Sequence, residues 1–189
     1  MLKKRIITTM LWNGTTLVKG QNFDNSRRAG SPITTIKIYN SRDVDEIIFF
    51  DIVKNSINSK FDLDFIKQIA NECNVPITIG GGVKKIYEIT DLLFCGADKV
   101  SINSENFNNL NLIKEAAKKF GSQTIVVGID YKSVDGKILC FSKSGSTIET
   151  ITNTYFCFLC IGIPNRSSYG NIKRKLWKRN SYFSHKQSM

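Results

Sequence analysis

Two carboxylates each close an apolar run, Asp51 after EIIFF and Asp130 after TIVVGI. A carboxylate at the end of an apolar strand can stand in a cleft and exchange a proton with a bound substrate. It can also cap a turn or accept a loop hydrogen bond. A second chemical feature is Gly80-Gly81-Gly82. Without Cβ atoms these residues let backbone amides approach an anion, and a helix N-terminus just after them favours phosphate. The same three glycines also suit a tight strand-to-helix turn. Asn103-Ser104 follows another short apolar run and adds an amide and a hydroxyl. A third group, Arg5, Glu46 and Lys99, lies at the opposite ends of such runs. Charges at strand starts can converge as a structural ion-pair ring.

These residues need a scaffold, and the chain predicts one. Strand-like runs at Arg5–Leu11, Asp45–Asp51, Pro76–Ile79, Lys99–Ile102 and Gln123–Asp130 alternate with segments of helical period. The helices expected are one opened by Ser31-Pro32, then Asp62–Cys73, Lys84–Phe94 and Phe107–Phe120. Strand and helix in alternation describe βαβ units and a parallel sheet. The first strand and its sequel overlay the fifth, which places Leu11 on Asp130. Four units followed by a restart suggest a doubled half-barrel. A complete (βα)₈ barrel takes about 250 residues. The expected fold is therefore α/β, an incomplete (βα)₈ barrel of about five units with an atypical C-terminal tail. The expected division is 1–148 for the barrel and 149–189 for the tail.

Composition supports a folded chain and sets the tail apart. Of the 189 residues 41% are apolar and 23% charged, which excludes wholesale disorder, collagen and coiled coil. The net charge is +11, and residues 151–189 contribute seven Lys or Arg and no carboxylate. That tail also holds Tyr155, Phe156, Phe158, Tyr169, Trp177, Tyr182 and Phe183. Basic and aromatic residues interleaved suit single-stranded nucleic acid, but a solvated tail has the same composition. Cys157 and Cys160 have metal-ligand spacing without a second pair, and His185 is far along the chain, so no metal is expected. Five cysteines and no secretory leader predict neither a disulfide framework nor export. No run reaches the roughly 20 apolar residues of a membrane span, so the expectation is a cytoplasmic protein.

The segments RIITTMLWNG, LVKGQNF, VDEIIFFDI, VPITIGGGV, GADKVSIN, FGSQTIVVGID and VDGKI resemble, in order and spacing, the cyclase subunit of imidazole glycerol phosphate synthase. The resemblance covers about residues 1–148 and implies the following. The fold is a (βα)₈ barrel without a cofactor, which takes ammonia from a glutaminase partner at one face. At the other face it cleaves and cyclises a bis-phosphorylated ribulosyl-formimino carboxamide ribonucleotide, yielding imidazole glycerol phosphate for histidine biosynthesis. Asp130 corresponds to the general acid. Gly82, Asn103 and Ser104 correspond to one phosphate site, and Lys19 to a lysine of the first loop. Arg5, Glu46 and Lys99 correspond to charges of the ammonia gate, and Asp98 to a glutaminase contact. The family's general base is an aspartate where this chain has Leu11. An apolar residue there is similar to paralogues linked to surface polysaccharide, which deliver ammonia for sugar amidation. A non-catalytic remnant is the third reading, since the resemblance ends near Gly145–Glu149 and the tail reads as out of frame.

Overall fold

The computed structural model describes residues 5–149 apart from 22–23, 55–59, 135–136 and 144. The chain divides into two units, Met1–Glu149 and Thr150–Met189. The second lies outside the described residues, and with it the readings made on Cys157, Cys160, His185 and the basic aromatic tail.

In chain order the elements are β1 (Ile7–Trp12), β2 (Leu17–Gln21), β3 (Asp24–Gly30), α1 (Pro32–Asn40), β4 (Glu46–Asp51), α2 (Leu63–Glu72), β5 (Ile77–Gly80) and α3 (Ile86–Phe94). They continue with β6 (Lys99–Ile102), α4 (Glu105–Asn108), α5 (Leu110–Phe120), β7 (Ile125–Val127), β8 (Asp130–Val134), β9 (Lys137–Ser142) and β10 (Thr147–Glu149). Strands β1, β4, β5, β6 and β7 run parallel, each beside the next, with helices between them. The expected α/β succession is present, and two antiparallel additions interrupt it. The β2–β3 hairpin extends the sheet beyond β1, and β8, β9 and β10 form a small sheet of their own.

Alternation of side chains along each strand decides what each face carries. One face presents Met10, Trp12, Ile47, Phe49, Ile77, Ile79, Val100 and Ile102, all buried in one cluster with Ile36, Ile66, Ile69, Ile89, Leu92, Leu112 and Ala116 of the helices. Trp12 packs its ring 4.6 Å from Phe65 of α2 and 6.0 Å from Phe49, tying β1 and β4 to that helix. The other face carries Leu11, Glu46, Ile48, Phe50, Thr78, Lys99 and Ser101.

The sequence reading departs from the structure at four places. The helix expected over Phe107–Phe120 is two: α4 stops at Asn109, whose side chain then caps α5 by accepting from the Leu112 N–H at 3.3 Å. The fifth strand ends at Val127, so Asp130 does not close it but opens β8. The strand that Pro76 was expected to open begins at Ile77 and runs to Gly80. Lys19, read as a loop residue, stands on β2 with an exposed side chain.

Candidate functional site

The C-terminal ends of parallel strands are where α/β folds place their chemistry. The ends of β5, β6 and β7 bring Gly80–Gly82, Asn103-Ser104 and Asp130 to that side of the sheet. The glycines have separate reasons to be there. A Cβ on Gly81 would lie 1.9 Å from the Asp51 carbonyl oxygen, and the residue has φ +118. A Cβ on Gly80 would lie 2.9 Å from the Phe50 ring and from the Cβ and carbonyl oxygen of Ser101. These two glycines serve close packing, the alternative to an anion cradle. Gly82 takes φ 60 and leads toward α3, the position at which the cradle reading places it.

Asn103 Nδ2 donates to Asp130 Oδ2 at 2.8 Å. Burial raises the Asp130 carboxyl above its usual value of 3.8, and the Asn103 hydrogen bond opposes that rise only in part. A carboxyl held toward its protonated form suits a general acid. The Oδ1 of Asn103 is buried without a partner in the described residues, so its lone pairs are free for a donor. Ser104 opens α4, and its Oγ accepts from the Lys143 N–H at 3.0 Å, which brings the turn after β9 to the same place. Asn106 holds the underside: its Nδ2 donates to the carbonyls of Ile102 and Gly128, both at 2.9 Å. Asn106 was not singled out from sequence, where its asparagine in a helical run reads as surface.

Leu11 lies at the end of β1, with three strands between it and β7 in sheet order. Its register neighbours are Phe50 on β4 and Val18 on β2. Both are apolar, so no carboxylate flanks Leu11 across the ladder. The neighbouring Asp51 points to the other face of its strand and is buried, with Oδ1 accepting from the N–H of Val53 at 2.9 Å and Lys54 at 3.1 Å. Burial raises its carboxyl above the usual value. Of the two readings of Asp51, the loop hydrogen bond is the one present.

At the opposite strand ends the three charges do converge. Glu46, 5% exposed, takes Arg5 Nη2 at 3.2 Å and Lys99 Nζ at 2.8 Å on Oε2, and the Thr78 hydroxyl at 2.8 Å on Oε1. Burial pulls its carboxyl upward, but the bonds from Lys99 and Thr78 and the nearby cations outweigh this and hold it below 4.5. Asp98 is exposed, and its Oδ2 accepts from the Ile77 N–H at 2.8 Å, fastening the start of β5. The sequence reading missed Thr78, since a threonine in a strand carries no signal of a partner.

Among the described residues no group of three His, Cys, Asp or Glu side chains is placed to hold a metal. No helix among them is long and apolar enough to cross a membrane.

The family profile described as histidine biosynthesis protein matches residues 6–155. The chain is 43% identical over 145 residues to the imidazole glycerol phosphate synthase subunit HisF of Elusimicrobium minutum, covering 77% of this chain and 58% of the relative. It is 40% identical over 145 residues to the subunit of the same name from a Thermotoga species, covering 77% and 57%. A putative imidazole glycerol phosphate synthase subunit hisF2 of Campylobacter jejuni is 42% identical over 149 residues, covering 79% and 59%. The chain thus spans less than three fifths of the length of these relatives. The match takes in every parallel strand described above and most of the chain, and on that ground the chain belongs to the histidine biosynthesis protein family.

Proposed function

We propose that this chain acts as a barrel of the imidazole glycerol phosphate synthase cyclase type. In this reading the loops after β5 and β6 hold one phosphate end of the ribulosyl-formimino carboxamide ribonucleotide, through Gly82, Asn103 and Ser104. Asp130 donates the proton, and Lys19 reaches over the substrate from the first hairpin. Ammonia from a glutaminase subunit enters past Arg5, Glu46 and Lys99, with Asp98 at the contact between subunits. The observation that carries the reading is the Asn103–Asp130 hydrogen bond beside Ser104, which sets a half-buried carboxyl next to an amide and a hydroxyl.

Leu11 favours a second reading, in which ammonia passes to another acceptor such as a sugar. A leucine exchanges no proton, and loss of one acid–base partner costs about 10²–10⁴ in rate. The test mixes the purified chain with a glutaminase subunit, glutamine and the ribulosyl substrate, and follows complex formation, substrate binding and product. Complex formation and substrate binding, with imidazole glycerol phosphate formed only at trace rates, are expected. Absence of both complex and substrate binding overturns the cyclase-type reading. Product formation at an ordinary enzyme rate, about 10 per second, overturns the second one.

A further inference from the structure

Lys54 is a lysine buried to 4% exposure directly behind the glycine loop. Its Nζ donates to the Gly82 carbonyl at 2.7 Å and to Glu88 Oε1 at 2.7 Å, and it lies 4.1 Å from the centre of the Phe61 ring. The other oxygen of Glu88 accepts from the N–H groups of Lys84 and Lys85 at 2.7 and 3.0 Å, the two residues before α3. One buried ion pair therefore joins the end of β4, the last glycine of the loop and the first turn of α3. Because Glu88 neutralises Lys54, the pair adds little net charge to attract an anion. Its effect is on geometry and on one peptide group. In a trans peptide the carbonyl and the following N–H point in opposite directions. Turning the Gly82 carbonyl onto Lys54 turns the Val83 N–H the other way. A cation on the carbonyl also polarises that peptide and makes its N–H a stronger donor.

We propose that Lys54 is the positioning residue of the anion loop: its hydrogen bond to the Gly82 carbonyl aims the Val83 N–H at a bound phosphate, and Glu88 holds Lys54 there. This rests on the phosphate reading given above and adds to it a residue that does not touch the ligand. Lys54→Met alone strands the Glu88 charge in a buried setting and threatens folding. Lys54→Met/Glu88→Gln removes both charges together and leaves an acceptor for the Lys84 and Lys85 N–H groups. Ile66→Ala, which opens a cavity in the core packed by α2, serves as the structural control.

The full chain is titrated with inorganic phosphate while the amide signals of Gly82, Val83 and Ser104 are followed by NMR. The expected result is a phosphate-dependent shift at Val83 in the wild type, lost in the double variant with at least a tenfold weaker Kd. Ile66→Ala is expected to lower Tm while keeping the wild-type Kd. An unchanged Kd in the folded double variant overturns the role of Lys54 and leaves the phosphate reading standing. A Kd that weakens equally in Ile66→Ala also overturns it, since the effect is then one of general stability. No shift in the wild type overturns the phosphate reading and this role with it.

Discussion

At the scale of single residues the site is governed by how each carboxylate is solvated. Asp130 is half-buried beside a neutral amide, and its carboxyl is shifted toward the protonated form in the folded chain. A carboxyl whose pKa is higher folded than unfolded costs stability once pH rises above the unfolded value, because the unfolded chain ionises more readily. Asp130→Asn keeps the shape and an acceptor for Asn103 without the charge. It is expected to unfold at a higher temperature than the wild type at pH 7. The advantage should shrink as pH falls through the raised Asp130 value and vanish below about 3.8. Thermal melts across pH 3–8 measure it, and a difference that grows toward acid contradicts the assignment. The strand leading toward Asp130 was legible from its apolar run, but its end at Val127 was not, so Asp130 opens β8 instead of closing that strand. Lys54 was not legible, since a lysine after DIV carries no mark of burial. Its partners, a carbonyl and a carboxylate 28 and 34 residues away, exist only once β4 and β5 lie side by side.

At the scale of elements, the charge cluster below the sheet ties the starts of β1, β4, β5 and β6 to one carboxylate. Removing that carboxylate leaves Lys99 and the Thr78 hydroxyl without it in a partly buried setting. Glu46→Ala is expected to lower unfolding stability in urea by about 3 kcal/mol. Arg5→Ala, at a side chain 48% exposed, is expected to cost under about 1 kcal/mol. Glu46 has a folded pKa below its ordinary 4.5, so its contribution is complete above that value and is lost as pH falls through the depressed one. The Glu46→Ala penalty should therefore fade in acid, as the Asp130→Asn advantage does, the two effects being opposite in sign. Asn109 offers a second element-level test. As the cap of α5, its change to Ala is expected to cost about 1 kcal/mol in the same urea assay. Strand and helix order was readable because apolar period survives in each segment. The break at Asn109 was not, because an apolar stripe runs on past a cap and says nothing of where the backbone leaves helical φ and ψ. The hairpins β2–β3 and β8–β9 were equally hidden, since DNSRRAG and DYKSV lack the apolar alternation that marks a half-buried strand.

At the scale of the molecule, the described sheet has helices along one face only, and the other face carries Leu11, Ile48, Phe50 and Val126 half-buried. Strand β7 pairs with β6 and has no second neighbour among the described residues. Unpaired strand edges and apolar faces drive association with another chain. Sedimentation velocity of the purified chain is expected to show concentration-dependent association at micromolar concentration, diminished when the glutaminase subunit and the ribulosyl substrate are added. A single monomeric species that unfolds cooperatively at all concentrations contradicts this.

The double hydrogen bond from Asn106 has a consequence for how the site fails. One amide group spends both of its protons on the carbonyls of Ile102 and Gly128, and with the Gly128 N–H on the Ile102 carbonyl it braces the gap just below the Asn103–Asp130 contact. Nothing in that arrangement belongs to the ligand, yet the spacing of acid and amide depends on it. Damage at Asn106 should therefore resemble damage at Asp130 in any functional readout, while leaving the sheet itself intact.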